Sequence, residues 1–201
     1  MPAPSAATFA RLADLIAIPD AADRPTRPVV EAFTGKGIAS IPVGTADDAK
    51  AAIDRARTAQ AAWARMPVAE RAEIILRYRE LVYARRDRLM DMAQAETGKS
   101  RTSAQEEVLD ISMTARHYAR VAPKLLEPRR ATGMLPFLTK TTVLHHPKGV
   151  VGVIAPWNYP LLQMSWKIAP ALGAGCTMVA KPSEVTPLST IAFVHLLVEA
   201  G

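Results

Sequence analysis

The stretch GVVGVIAPWNYPLLQMSWKIAPALGAGCTMVAKPSEVTPLS, residues 149–189, decides the fold of this chain. Its opening, Gly149–Ala155, is apolar and β-branched, the composition of a buried strand in a parallel sheet. The run PWNYP, 156–160, breaks it. Leu161–Gly175 is helical in composition, with Pro170 as a kink and Gly173 and Gly175 near its end. Cys176–Lys181 reads as a second short apolar strand. Thr186 then offers a cap, and Pro187 the first position, for a helix running toward the final Gly201. Strand, helix and strand at this length form a βαβ unit, which demands parallel strands and a right-handed crossover. The fold class is α/β, with a parallel βαβα unit over 148–201 that forms an incomplete sheet.

Residues 127–147 hold Pro, Gly and Arg and then TKTTVLHH, whose β-branched content predicts a strand. His145 and His146 are adjacent, so in a strand they would face opposite sides and could not share a metal ion. His117 and His195 lack ligand-like spacing to them, and no metal site is expected. Residues 45–126 are helical. Thr45 predicts an N-cap with Asp47 and Asp48 in the first turn, and Ala49, Ala52, Ile53, Ala56, Ala59 and Trp63 fall on one face. Pro67 fits the first turn of a second helix, where Ile74, Ile75, Tyr78, Leu81, Val82, Leu89, Met90 and Ala93 keep one helical period to a stop at Gly98. A third helix is expected from about Ser103 through Val108, Ile111, Ala115 and Tyr118, ending before Pro123. Trp63, Tyr78 and Tyr118 belong to core or interface. Residues 1–44 form a proline-rich arm in which Gly35 and Gly37 bracket a turn and IASIPV reads as an edge strand.

In an open parallel sheet, ligands bind beyond the carboxyl ends of the strands. Two loops lie there, APWNYP after the first strand and KPSE after the second, so the topology brings Asn158, Lys181, Ser183 and Glu184 to one edge. A glutamate shortly after the second strand is placed to accept hydrogen bonds from ribose hydroxyls and to repel a 2′-phosphate, and a neighbouring lysine adds a donor. The G-x-G-x-x-G turn of ordinary dinucleotide sites is missing, with prolines in its place. These residues alone point to a nucleotide-like site. They leave open that Asn158 braces its loop and that Lys181 and Glu184 are a surface ion pair.

Composition narrows the function classes. The 201 residues are 49% hydrophobic and 22% charged, an ordinary globular mix. The net charge of +6 is spread among alternating acids and bases, with no basic run interleaved with aromatics, so neither nucleic acid nor a membrane surface is expected as partner. Cys176 is the one cysteine, which excludes an internal disulfide and favours a reducing, cytoplasmic setting. It begins the second strand with no base beside it, so it reads as a packing residue rather than a nucleophile. The first 25 residues lack a basic n-region, which argues against a secretory leader.

Residues 149–189, with PWN and KPSE separated by one helix and one strand, closely resemble the opening of the coenzyme domain in aldehyde dehydrogenases. TGKGIASIPVGTADDAKAAIDRARTAQAAW, 34–63, looks like that family's N-terminal strand pair and first helix, and AQAETGK, 93–99, like its characteristic helix end. The layout including LHHPKGVVGVIAPWNYP is most similar to the succinate-semialdehyde dehydrogenase branch. The resemblance implies a Rossmann-type coenzyme domain over 1–201, divided at 44, 126 and 147, and NAD(P)-linked oxidation of an aldehyde, here succinate semialdehyde, to its acid. Asn158 matches the asparagine that steadies the oxyanion. Ile154, Ala155, Pro156 and Trp157 match the strand end lining the cofactor groove, and Lys181, Ser183 and Glu184 the positions that meet the adenosine ribose. Glu184 argues for NAD over NADP. TKTTVLHH resembles a strand of the family's oligomerisation ribbon, which implies a homo-oligomer. The family's cysteine nucleophile and general-base glutamate lie beyond Gly201, so the isolated chain is expected to be inactive. The competing expectation is a non-catalytic fragment that associates with full-length subunits.

Overall fold

A computed structural model describes Thr8, Leu12, residues 16–135 and residues 137–201. The expectation of no leader rests partly on residues outside that set. A one-turn 3-10 helix at Ala21–Asp23 precedes strands β1 (Thr26–Val30) and β2 (Gly37–Pro42), which pair antiparallel with Thr26 opposite Pro42 and Arg27 opposite Ile41. Gly35 adopts φ 68° in the connecting turn, where the Glu31 N–H donates to the Lys36 carbonyl at 2.8 Å.

Helix α1 (Ala46–Arg65) begins as its sequence predicts. The Thr45 hydroxyl accepts from the Asp48 N–H, and the Asp48 carboxylate accepts from the Thr45 N–H at 2.7 Å, a closed capping box. Its inward face differs from the expected alanine stripe. Ala52, Ile53, Ala56 and Trp63 are half-buried, but Ala49 and Ala59 face solvent, and Asp48 and Gln60 turn inward. The reason is polar. Gln60 accepts from the Thr177 N–H at 2.7 Å and donates to the Gly175 carbonyl at 2.9 Å, satisfying the backbone where a strand begins.

Helices α2 (Val68–Ala84) and α3 (Arg86–Thr97) carry the periodic residues, but the period is broken at Arg85 (φ −109°, ψ 16°). Pro67 stands just before α2 as its N-cap rather than inside its first turn. Gly98 ends α3 at φ 70°. Helix α4 (Arg101–Leu125) passes through Pro123 instead of ending before it. In the last turn a proline forfeits only its own bond, and the Leu126 N–H still reaches the Ala122 carbonyl at 3.0 Å. Ile75, Tyr78 and Val82 of α2 are buried with Val108, Ile111 and Ala115 of α4 in the main core.

Strands β3 (Arg129–Ala131) and β4 (Thr141–Val143) form an antiparallel pair, and His145 and His146 follow β4 outside any strand. The parallel unit then unfolds as expected: β5 (Val150–Ile154), α5 (Pro160–Gly173), β6 (Thr177–Lys181) and α6 (Pro187–Ala200). Among the described residues its sheet has two strands, so β5 is not the fully covered strand its composition suggests. Only Val153 in it is buried, and Ile154 is exposed. Leu161, Met164 and Ile168 of α5 and Leu188, Phe193 and Leu196 of α6 join the core, where Tyr78 meets Phe193 edge-on at 5.4 Å. Cys176 is buried, as expected. No helix among the described residues is long and apolar enough to cross a membrane, and no cluster of metal-ligating side chains occurs among them.

Candidate functional site

The register of the parallel pair sets the site. Ile154 lies opposite Lys181, so the loops leaving β5 and β6 emerge side by side at the carboxyl edge. Ala155 is buried and its N–H donates to the Lys181 carbonyl at 3.4 Å, which prolongs the pairing into the loop. Pro156, Trp157 and Asn158 are exposed beyond it.

On the β6 side, Ser183 is buried. Its hydroxyl accepts from the Val185 N–H at 3.3 Å and its carbonyl from the Thr186 N–H at 3.2 Å, so it shapes the turn. Glu184 stands between two cations, with Lys181 Nζ at 3.9 Å and Arg27 Nη1 at 3.8 Å, all three side chains half-exposed. Its own backbone N–H, Lys181 and Arg27 together hold its pKa below the ordinary carboxylate value.

Asn158 is fixed through its backbone. Lys99 Nζ donates to the Asn158 carbonyl at 2.9 Å, pairs with the Glu107 carboxylate, and lies 4.6 Å from the Tyr159 ring centroid. Glu107 is fully buried, and its other oxygen accepts from the Leu161 and Leu162 N–H groups at 3.0 and 3.1 Å, capping α5. A second glutamate does the same for α6. Glu96 accepts from the Leu188 N–H at 2.6 Å and the Ser189 N–H at 2.8 Å. Thr186 occupies the N-cap position but makes no capping bond with its side chain, so the expected cap is replaced by a carboxylate from α3. Burial pushes the Glu96 pKa up to about 7 against the pull of those N–H donors.

Lys99, Glu96 and Glu107 were not among the residues expected from sequence. One signal was present. Glu107 shares the face of Ala104, Val108 and Ile111, and an acid inside an apolar stripe must find partners. Both glutamates bear on the chemistry of the edge. An open helix N-terminus binds phosphate, but α5 and α6 have theirs filled by the protein's own carboxylates. What remains exposed at the edge is a cation and an anion side by side. Lys181 is a donor and Glu184 an acceptor, exposed at the carboxyl edge beside Pro156 and Trp157. A separate cleft of about 560 Å³ lies between α4 and α5, lined by Asp110, Met113, Thr114, His117, Tyr118 and Trp166. Trp166 Nε1 donates to Asp110 across it at 2.6 Å. Cys176 lies just before the opposite, amino end of β6, about 16 Å from the carboxyl edge at about 3.3 Å per residue.

A parallel crossover unit with polar groups gathered at its carboxyl edge defines an α/β protein of the coenzyme-domain class. Residues 19–201 match the aldehyde dehydrogenase family, and the chain belongs to that family. It is 57% identical over 201 residues to a Mycolicibacterium smegmatis protein provisionally named succinate-semialdehyde dehydrogenase, NADP(+), and 54% identical to a Mycobacterium tuberculosis protein of similar name. Each match covers 100% of this chain, which spans 39% of the length of those relatives. Among solved structures, a Brucella melitensis aldehyde dehydrogenase superposes with TM-score 0.86 at 33% identity, over 90% of this chain and 37% of that one. A Staphylococcus aureus betaine aldehyde dehydrogenase solved with NAD+ gives TM-score 0.85 at 34% identity, with the same coverage.

Proposed function

We propose that this chain supplies the ribose-binding edge of an NAD(P) site and one oxyanion donor in the oxidation of an aldehyde, succinate semialdehyde, to its acid. The observation that carries the proposal is the register of Ile154 with Lys181, which sets the Asn158 loop beside the Lys181–Glu184 loop. Lys181 donates to a ribose hydroxyl and Glu184 accepts from one, while Ile154, Ala155, Pro156 and Trp157 form the groove wall and Ser183 holds the turn. The dinucleotide, when bound, accepts the hydride. The Asn158 side-chain amide donates to the aldehyde oxygen as negative charge builds on it, a role in which one donor is worth about 10²–10³ in kcat. Cys176 cannot attack that aldehyde, because it is buried at the far end of β6. The chain by itself therefore forms no NADH from succinate semialdehyde.

The coenzyme preference has two opposed indications. A carboxylate at Glu184 favours NAD, whereas the mycobacterial relatives are named for NADP(+). The exposed apolar residues Met134, Leu135, Phe137 and Leu138 between β3 and β4 suit a contact with a second subunit, and one unpaired thiol suits the cytoplasm. The same patch favours the second reading, in which the chain acts without turnover as a partner for full-length subunits.

The test is a chimera in which this chain replaces the matching part of the M. smegmatis relative. Coenzyme-dependent oxidation of succinate semialdehyde is expected, with kcat falling about 10²–10³-fold in Asn158→Ala. An unaltered kcat in that variant would remove Asn158 from the mechanism. Steady NADH formation by the 201-residue chain alone would contradict the claim of inactivity.

A further inference from the structure

We propose that Arg27 is a specificity-determining residue of this edge, which with Lys181 offsets Glu184 and binds the 2′-phosphate of a phosphorylated dinucleotide. The inference rests on the ribose-site reading of Lys181 and Glu184.

Taken alone, Glu184 would exclude a 2′-phosphate by repulsion. It is not alone. Arg27 and Lys181 both lie within 4 Å of its carboxylate, at 3.8 and 3.9 Å, so the cluster carries one positive charge in excess. Neither distance is a hydrogen bond. Among the described residues the guanidinium makes no other ion pair and no side-chain hydrogen bond. Lys181 Nζ makes one hydrogen bond, to the Pro182 carbonyl at 3.0 Å, and has further donors to give. A planar guanidinium grips a phosphate through two parallel N–H bonds, which a lysine cannot do.

The origin of Arg27 matters as well. It comes from β1, whose register places it opposite Ile41 in the antiparallel hairpin, so its backbone is fixed while its head reaches the loop after β6. Glu184 swings only its own carboxylate aside to admit the phosphate, and the two cations keep their backbone positions. The half-exposure of all three side chains leaves room for that movement and also screens the charges, so the effect on affinity is moderate.

The experiment titrates the 201-residue chain with adenosine 2′,5′-bisphosphate and with 5′-AMP, following the backbone amide resonances of Lys181, Ser183, Glu184 and Val185 by NMR. Both probes are expected to shift these amides. Arg27→Gln should weaken the bisphosphate about fivefold and leave 5′-AMP unchanged, and Arg27→Lys should recover part of the loss. Unchanged 5′-AMP binding also shows that the variant is folded at the edge. Equal bisphosphate affinity in wild type and Arg27→Gln overturns the proposal and leaves the ribose site standing. If neither probe shifts these amides, the ribose-site reading fails and the proposal fails with it.

Discussion

The ammonium of Lys99 donates to the backbone carbonyl of Asn158 at 2.9 Å, across 59 residues of sequence. The same nitrogen pairs with Glu107, whose second oxygen caps α5 just after the PWN loop. One buried ion pair thus fixes both the start of a helix and the loop that carries Asn158. Removing Lys99 leaves a buried carboxylate without its counter-charge. Lys99→Met should cost about 3 kcal/mol in urea unfolding. Adding Glu107→Gln to it should return part of that loss, because the neutral amide no longer needs a cation. A double variant less stable than Lys99→Met would mean that the ion pair is not the source of the penalty.

Glu96 predicts a pH dependence of opposite sign to the usual carboxylate. Burial raises its pKa from 4.5 to about 7 in the folded chain. Between those values the folded state retains a proton that the unfolded state has released. Stability therefore falls as pH rises through that interval, and the full penalty is present above about 7. Relative to Glu96→Gln, which does not titrate, the wild-type chain should lose about 3 kcal/mol over the interval, at about 1.36 kcal/mol per pKa unit. Comparing pH profiles removes any constant difference in capping strength. Parallel profiles for the two chains would show that Glu96 has an ordinary pKa.

The Thr45 cap is a local feature and predicts a local loss. Thr45→Ala removes the hydroxyl that accepts from the Asp48 N–H and should cost about 1 kcal/mol, read as a lower unfolding midpoint at unchanged slope. The Asp48 pKa is held down chiefly by the Thr45 backbone N–H and then by its hydroxyl. Part of its stabilisation is thus present above the ordinary carboxylate pKa and lost on acidification. The gap between Thr45→Ala and wild type should narrow in acid. A gap that widened would contradict this assignment.

These predictions divide by how far apart in sequence their partners lie, and the division explains what the sequence disclosed. Thr45 with Asp48, Gly98 after α3, and the two apolar runs of β5 and β6 rest on neighbours within one turn or one strand, so residue pattern sufficed to place them. The carboxyl-edge position of Asn158, Lys181 and Glu184 followed from crossover topology. The caps of α5 and α6 did not, because Glu107 and Glu96 act on residues 54 and 92 positions away. Thr186 looked like a cap by every local rule and was displaced by a stronger acceptor from α3. Arg27 was hidden in the same way, since nothing in TRPVV indicates that its guanidinium reaches Glu184. The break at Arg85 carries no glycine or proline. At that break Arg85 pairs with Glu199 of α6, a partner 114 residues away that local pattern could not show.

Gly175 joins α5 to β6 under two constraints at once. It adopts φ 84°, and a Cβ there would lie 2.9 Å from Pro147 Cγ and 3.3 Å from the Arg71 guanidinium. Its carbonyl also accepts from Gln60, so the backbone cannot turn to relieve the contact without breaking the tie to α1. Gly98 has a similar dihedral, φ 70°, but its Cβ would come no closer than 3.2 Å, to the Ala32 methyl. Gly98→Ala should cost about 1 kcal/mol, chiefly the left-handed penalty, because the Ala32 methyl need give way by only a few tenths of an ångström. Gly175→Ala should cost about 2 kcal/mol or more, because steric overlap is added to the same strain. The larger loss should come with altered amide resonances at Gln60 and Thr177, where α1 meets β6. Equal destabilisation by the two variants, with those resonances unmoved, would show that the Pro147 contact relaxes freely and that only the dihedral matters.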